Sequence, residues 1–72
     1  MTEKLMRDLI SEANKTVEIM ANDNPIAQVI GLTTLGMMGT TVSLQQILGN
    51  LTESEAAKVR EHLSSLIDSI SI

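Results

Sequence analysis

PIAQVIGLTTLGMM is the sequence of residues 25–38, and it contains no charged residue. Its apolar side chains point in nearly all directions around a helical wheel, and a helix that is apolar all round is normally buried. Asn and Asp in the preceding Asn22-Asp23-Asn24 favour a turn, Asn24 is a good N-cap, and Pro25 suits the first helical position. We therefore predict a buried central helix over residues 25–38.

The predicted central helix has more apolar surface than one small chain can easily bury. A monomer of 72 residues has trouble surrounding such a helix, and small scaffolds without disulfides often gain stability by oligomerisation. Ala27, Gly31 and Thr34 place small residues on one face, where a neighbouring backbone can approach closely. We expect a homodimer or small oligomer whose interface contains Ile26, Ala27, Ile30, Gly31, Thr34, Met37 and Met38.

On the N-terminal side, residues 2–22 have the pattern of an amphipathic helix. Their apolar residues recur at three- and four-residue spacings, and charged residues cover the opposite side. The apolar stripe comprises Leu5, Met6, Leu9, Ile10, Ala13, Val17 and Met20. This stripe is wide for a single neighbouring helix, which indicates contact on two sides.

On the C-terminal side, glycines and threonines loosen the chain, and we predict a break near Gly39. A short helix over residues 42–49 follows, with leucine and isoleucine at helical spacing. Gly49-Asn50 is typical of the residues that stop a helix.

The last helix, residues 53–70, has the clearest start signal in the chain. Thr52 and Glu55 have the spacing of a capping box, in which each side chain bonds the backbone N–H of the other residue. Apolar residues then recur along one stripe of this helix. The sequence thus predicts a single all-α domain over residues 1–72, a small bundle of three main helices plus one short helix, completed by homo-oligomerisation.

The residue composition argues against several kinds of chemical site. The chain has no Cys, one His and no aromatic residue, which argues against disulfides and against a zinc site. His62, the single histidine, has no carboxylate at helical spacing on its own face, so it is interpreted as a boundary residue of the last helix. No nucleophile elbow, phosphate-binding glycine loop or triad is present. We expect no catalytic residue, no metal and no cofactor.

The distribution of charged residues argues against two classes of partner, nucleic acids and membranes. The formal net charge is −4 with no basic run, which opposes binding to nucleic acid. A helix-turn-helix over residues 42–63 would direct Glu53 and Glu55 at the phosphates. The uncharged residues 24–52 are long enough to span a membrane, but polar residues and glycines dilute them and no basic anchor flanks them. We do not expect membrane insertion.

These observations predict a non-enzymatic protein–protein interaction module. We expect a small acidic regulator, adaptor or inhibitor that acts as a homo-oligomer, binds another protein and resides in the cytoplasm. The alternatives are a structural protein whose role is self-association and a small membrane-associated protein. The sequence leaves open the partner, the oligomer size and whether a small ligand binds between protomers.

Overall fold

The computed structural model describes residues 2–20 and 25–70, which form three α-helices and no β-strand. The helices are α1, Thr2–Met20; α2, Pro25–Ile47; and α3, Glu53–Ile70. Each helix packs against the other two, and the bundle measures 37 × 16 × 16 Å. The prediction of an all-α fold is confirmed.

The relative directions of the helices follow from contacts at one end of the bundle. Thr2 Oγ1 donates a hydrogen bond to Glu55 Oε2 at 2.9 Å, so the N-terminal ends of α1 and α3 meet. Arg60 Nη2 donates to Ser43 Oγ at 3.0 Å and to Gln46 Oε1 at 3.2 Å, which ties α3 to the C-terminal part of α2. Therefore α2 runs antiparallel to both α1 and α3.

The core between the helices is built from aliphatic side chains and methionine. Its buried members are Ala13, Met20, Leu35, Met38, Val42, Leu51, Ala56, Val59 and Leu63. The remaining apolar residues of the predicted α1 stripe are partly buried and pack against this cluster. Because α1 touches both neighbouring helices, its wide stripe is used on two sides.

The prediction of a break near Gly39 and of a separate short helix is wrong. The structure has one continuous helix through this point, since α2 extends to Ile47. Glycine weakens a helix by about 1 kcal/mol relative to alanine. That penalty is outweighed here because Leu35, Met38 and Val42, on both sides of Gly39, are buried along one stripe of the same helix.

The end of α2 lies at the stop that the sequence predicted for the separate short helix, Gly49-Asn50. Gly49 has φ +80°, a left-handed conformation that glycine adopts without steric cost. The Gly49 N–H donates to the Gln46 carbonyl at 3.1 Å and the Asn50 N–H to the Gln45 carbonyl at 2.9 Å. This is the Schellman arrangement, which satisfies carbonyls that the helix end would otherwise leave without donors.

The start of α3 has both hydrogen bonds of a capping box. The Glu55 N–H donates to Thr52 Oγ1 at 3.1 Å, and the Thr52 N–H donates to Glu55 Oε1 at 2.9 Å. The helix then begins at Glu53. Two parts of the sequence-based boundaries, the predicted end of the first helix at residues 21–22 and the predicted cap Asn24, lie outside the described residues.

Candidate functional site

One side of α2 forms the centre of the bundle. Gly31, Leu35, Met38 and Val42 follow one another at spacings of four, three and four residues, and all four are buried. This alternation keeps side chains on one stripe of a helix. We call these four residues the inner face of α2.

The opposite side of α2 is also apolar, but it points to solvent. Seven of its positions, from Ile26 to Ile47, alternate spacings of four and three residues along the whole helix, and Val29 lies beside them. We call this set the outer face: Ile26, Val29, Ile30, Thr33, Met37, Thr40, Leu44 and Ile47. Because α2 contains no charged residue, the outer face is uncharged from end to end.

The outer face is exposed to an unusual degree for its composition. Ile47 is 81% exposed, Ile26 70%, Met37 66% and Ile30 61%. At about 25 cal/mol per Å², full burial of one large aliphatic side chain corresponds to on the order of 100 Å². The outer face contains six such side chains, each more than half exposed, so it presents on the order of several hundred Å² of apolar surface. Exposed apolar patches larger than a few hundred Å² mark interaction sites.

Two threonine hydroxyls on or beside the outer face, those of Thr33 and Thr34, are satisfied within α2. Thr33 Oγ1 donates to the Val29 carbonyl at 2.9 Å, and Thr34 Oγ1 donates to the Ile30 carbonyl at 2.8 Å. A hydroxyl that bonds the backbone one turn earlier is satisfied within its own helix. Burying these threonines against another surface would therefore leave neither hydroxyl without a partner.

The glycines of α2 differ in their surroundings. A Cβ added at Gly31 would overlap Cγ and Sδ of Met20, so Gly31 lets the α1 side chain lie directly on the α2 backbone. A Cβ at Gly36, which borders the outer face, would meet nothing within 4 Å. Within the protomer, Gly31 is required for packing and Gly36 is not.

The structure divides the seven residues predicted from the sequence as an oligomer interface. Ile26, Ile30, Thr34 and Met37 are exposed. The other three, Ala27, Gly31 and Met38, are half-buried or buried inside the protomer. The small-residue pair Ala27/Gly31 thus lies on the side of α2 that packs within the chain, and the surface available to a second molecule is the outer face.

Sequence reasoning missed five outer-face residues: Val29, Thr33, Thr40, Leu44 and Ile47. The predicted break near Gly39 hid the C-terminal part of the helix, so the continuation of the pattern went unnoticed. The signal was present as the unbroken alternation of four- and three-residue steps from Ile26 to Ile47.

Among residues 2–20 and 25–70, Glu55 is the buried ionisable residue, with 8% of its surface exposed. The backbone N–H of Thr52 and then the hydroxyl of Thr2 bond its carboxylate and hold its pKa below the ordinary glutamate value, against an opposing effect of burial. The Thr52 bond caps the start of α3 and the Thr2 bond ties the start of α1 to it, so this carboxylate has a structural explanation.

His62 lies at the junction of α1 and α3. Its Nε2 is 2.8 Å from Asn14 Oδ1, and an open depression of about 320 Å³ beside it is lined by Ile10, Lys58, Glu61 and Ser65 as well. The side chain makes one polar contact between helices at the rim of the core. This matches the boundary position expected from the sequence.

The described residues also bear on two other kinds of site, a metal site and a membrane-spanning helix. In residues 2–20 and 25–70, no group of three or more His, Asp or Glu side chains could hold a metal ion. Within the same ranges, α2 is the one helix long and apolar enough to cross a membrane by length and composition, and 22% of its most apolar window is buried in the bundle.

Comparison with known proteins adds no relative. No protein-family model matches the sequence, and no curated protein and no solved structure matches the chain. The exposed surface of the bundle is therefore the feature that bears on function.

Proposed function

We propose that this chain is a non-enzymatic interaction module, a small acidic regulator, adaptor or inhibitor, that acts as a homo-oligomer assembled through the outer face of α2. The observation that carries the proposal is the uncharged apolar surface along the full length of α2, with Ile47 81% and Met37 66% exposed. Such a surface is unfavourable in water and favourable against another apolar surface.

The size of the outer face fits a specific interface. Stable protein–protein interfaces bury about 800 Å² on each partner, and the apolar side chains of the outer face supply on the order of several hundred Å² before the polar residues around them are counted. Its regular spacing is that of two helices packed side by side, with interaxial distances of about 8–10 Å. The area and the spacing both favour a helix as the occupant.

A second copy of the chain is the occupant that the surface matches best. A partner for the outer face has to be apolar and free of charge over the length of a 23-residue helix, and α2 itself meets this requirement. Two identical faces related by a two-fold axis bury each other completely and close the assembly.

The other surfaces of the bundle suit a further partner. The charged residues of the described ranges all belong to α1 and α3; apart from the buried Glu55 they lie on exposed sides of these helices, with an acidic excess. Packing through α2 leaves these sides accessible in the dimer. Charge complementarity favours a protein partner with a basic surface, which is how a regulator, adaptor or inhibitor of this kind would select its target.

The test is the absolute molar mass in detergent-free buffer, measured by light scattering coupled to size exclusion over a concentration series. We expect twice the chain mass for the wild type. Met37→Glu places a carboxylate from each copy in an apolar contact, and burying an unpaired charge costs several kcal/mol. The variant should therefore associate at least about 100-fold more weakly.

Ser64→Glu is the matched control, since it adds the same charge at an exposed position of α3. It should keep the mass of the wild type. A wild type that stays monomeric at every concentration contradicts the proposal, and so does an equal loss of mass in both variants.

A structural protein whose role is self-association is distinguished by the size of the oligomer. A two-fold contact through one face closes at the dimer, whereas a second, non-equivalent contact builds rings or filaments. A dimer mass that remains constant as concentration rises supports the interaction module. Masses that continue to grow support the assembly protein.

Membrane association is the second candidate, favoured by the length and apolar composition of α2. Spanning a bilayer would require α2 to leave the bundle, which would separate Leu35 and Val42 from the buried core of α1 and α3. Flotation with phosphatidylcholine vesicles tests this candidate. Full recovery from buffer with no co-flotation opposes it, and co-flotation of a monomer opposes the self-association proposal.

A further inference from the structure

The charges of the bundle are divided unevenly along its long axis. One half contains residues 2–10 of α1 and 53–60 of α3, whose N-terminal ends meet at the Thr2–Glu55 hydrogen bond. We call it the neutral half, because its four basic residues match its four acidic ones. The charged residues of the neutral half are Glu3, Lys4, Arg7, Asp8, Glu53, Glu55, Lys58 and Arg60.

The other half of the bundle is acidic. It contains residues 11–20 of α1 and 61–70 of α3, and it lies beside the N-terminal part of α2 because α2 is antiparallel to its neighbours. Its acidic residues are Glu12, Glu18, Glu61 and Asp68, and its one basic residue is Lys15. We call it the acidic half. Most of the net charge of the described residues therefore lies in one half of the molecule.

The outer face of α2 runs from the acidic half to the neutral half without a charge of its own. A helix of 23 residues is about 34 Å long at 1.5 Å per residue, close to the 37 Å length of the bundle. Two copies joined along this face lie side by side over their full length. The direction of one α2 relative to the other then decides which halves are neighbours.

The order of side chains along the outer face is almost the same from the N-terminal end of α2 as from its C-terminal end. Starting from Met37, a threonine follows on each side, at Thr33 and Thr40. Next come Ile30 and Leu44, and then the end positions Ile26 and Ile47. An antiparallel copy therefore sets large side chains against large ones and threonine against threonine. The sizes of the outer-face residues permit both directions, so the charges select one.

We propose that two copies of the chain pack antiparallel through their outer faces, with the two-fold axis crossing α2 near Gly36 and Met37. This proposal rests on the proposed function and adds the orientation. Antiparallel packing puts the acidic half of one copy beside the neutral half of the other, which carries four basic residues. Parallel packing would put the two acidic halves side by side, and the repulsion between their like charges disfavours that arrangement, most strongly at low salt.

Gly36 is consistent with this position of the axis. It lies at the middle of α2 and borders the outer face, where an added Cβ would meet no atom of its own protomer within 4 Å. Glycine in a helix interior is destabilising, so a glycine without a packing role inside the protomer is unexplained by the monomer. Close approach of a second α2 backbone at the crossing point supplies that role.

Disulfide trapping tests the orientation, because the chain contains no native cysteine. Ile26→Cys is mixed with Leu44→Cys or with Ile47→Cys under mild oxidation, and the cross-linked species are identified by intact mass. In the antiparallel dimer, the two copies of residue 26 are about 30 Å apart at 1.5 Å per residue, while residue 26 of one copy lies near residues 44–47 of the other.

We expect roughly tenfold more mixed disulfide than Ile26→Cys homodimer in at least one mixture, because a disulfide requires Cα atoms within about 7 Å. Ser64→Cys, an exposed α3 variant, gives the level of chance collisions. Met37→Cys lies near the proposed axis and should cross-link to itself. Circular dichroism of each variant verifies that it is folded.

The outcomes separate this inference from the proposed function. Ile26→Cys that cross-links mainly to itself, in a wild type of dimer mass, overturns the antiparallel orientation and leaves the interaction module standing. Cross-linking of Met37→Cys at the Ser64→Cys level in a dimeric wild type places the interface elsewhere and overturns both the orientation and the role of the outer face. A monomeric wild type overturns the proposed function itself.

Discussion

The two faces of α2 are alike in sequence and opposite in environment. Both are apolar, both follow alternating steps of three and four residues, and they lie on the same 23-residue helix. Leu35 on the inner face is 1% exposed, whereas Leu44 on the outer face is 52% exposed. The comparison teaches that apolar composition alone does not determine burial in a chain with only two other helices to provide cover.

The largest expected effect is a difference in the free energy of unfolding between one leucine-to-alanine substitution on the inner face and one on the outer face. Leu35→Ala leaves a cavity in the core and should lower the free energy of unfolding by about 2–5 kcal/mol. Leu44→Ala at low protein concentration should change it by less than about 0.5 kcal/mol, as for other surface sites. Urea unfolding monitored by circular dichroism measures both. Equal losses in the two variants would contradict the assignment of inner and outer faces.

The same unfolding experiment at high protein concentration tests whether Leu44 lies in the dimer interface. Association stabilises the folded state by mass action, so the unfolding midpoint of the wild type should rise with concentration. In Leu44→Ala this rise should be smaller, because the dimer contact is weakened. A concentration dependence identical to that of the wild type would separate Leu44 from the interface.

A smaller effect of opposite sign is expected at two glycines. Gly31→Ala brings a Cβ into Cγ and Sδ of Met20, which is 4% exposed and has little room to move. Overpacking of this kind costs about 1–3 kcal/mol, more than the gain of about 1 kcal/mol in helix propensity. Gly31→Ala should therefore lower the melting temperature by several degrees.

Gly36→Ala is the matched control on the same helix. Nothing lies within 4 Å of the added methyl group, so at low concentration the gain of about 1 kcal/mol in helix propensity should raise the melting temperature. At high concentration the methyl group should weaken a close helix contact. A higher melting temperature for Gly31→Ala than for Gly36→Ala would contradict the tight contact with Met20.

The smallest expected effect is on the pH dependence of stability, in which the outer face of α2 and the buried residues also differ. The outer face has no ionisable group, whereas Glu55 lies among the buried residues, with its pKa lowered chiefly by the backbone N–H of Thr52. A group with a lowered folded-state pKa binds its proton more readily when unfolded, so its stabilising effect is present above the ordinary glutamate pKa. That effect is lost as the pH falls through the folded-state pKa.

Glu55→Gln tests this directly. The variant keeps the size of the side chain and removes its titration, so its unfolding free energy should fall less steeply than that of the wild type between pH 6 and about pH 3. Glu53→Gln is the control, as an exposed residue in the same turn. If the two variants have the same pH profile, the Thr52 and Thr2 contacts do not stabilise the carboxylate.

The parts of the fold that depend on neighbouring residues were predictable. The start of α3 at Glu53 follows from the Thr52 and Glu55 pair, whose two hydrogen bonds are made within four residues. The stop after α2 follows from Gly49, which takes up the left-handed conformation. Amphipathic periodicity indicated α1 and α3, because charged residues alternate with the apolar stripe and mark the side that faces water.

The length and orientation of α2 were not predictable in this way. Local propensity favoured a break near Gly39, and the packing of Met38 and Val42 against the other helices overrides it. No charged residue marks a solvent side, so the sequence pattern did not reveal that Gly31 faces Met20 while Met37 faces water. The candidate surface was therefore found on the right helix with only part of its residues.

The sequence alone specified that the chain is helical, where α3 is capped and that a helix stops at Gly49-Asn50, because each of these depends on hydrogen bonds and side chains a few residues apart. It also determined that α2 is apolar on every side. Only the tertiary structure decided which side is covered, because α1 and α3 can bury one stripe of α2 and no more. The exposed remainder, the outer face, is the surface on which the proposed function depends.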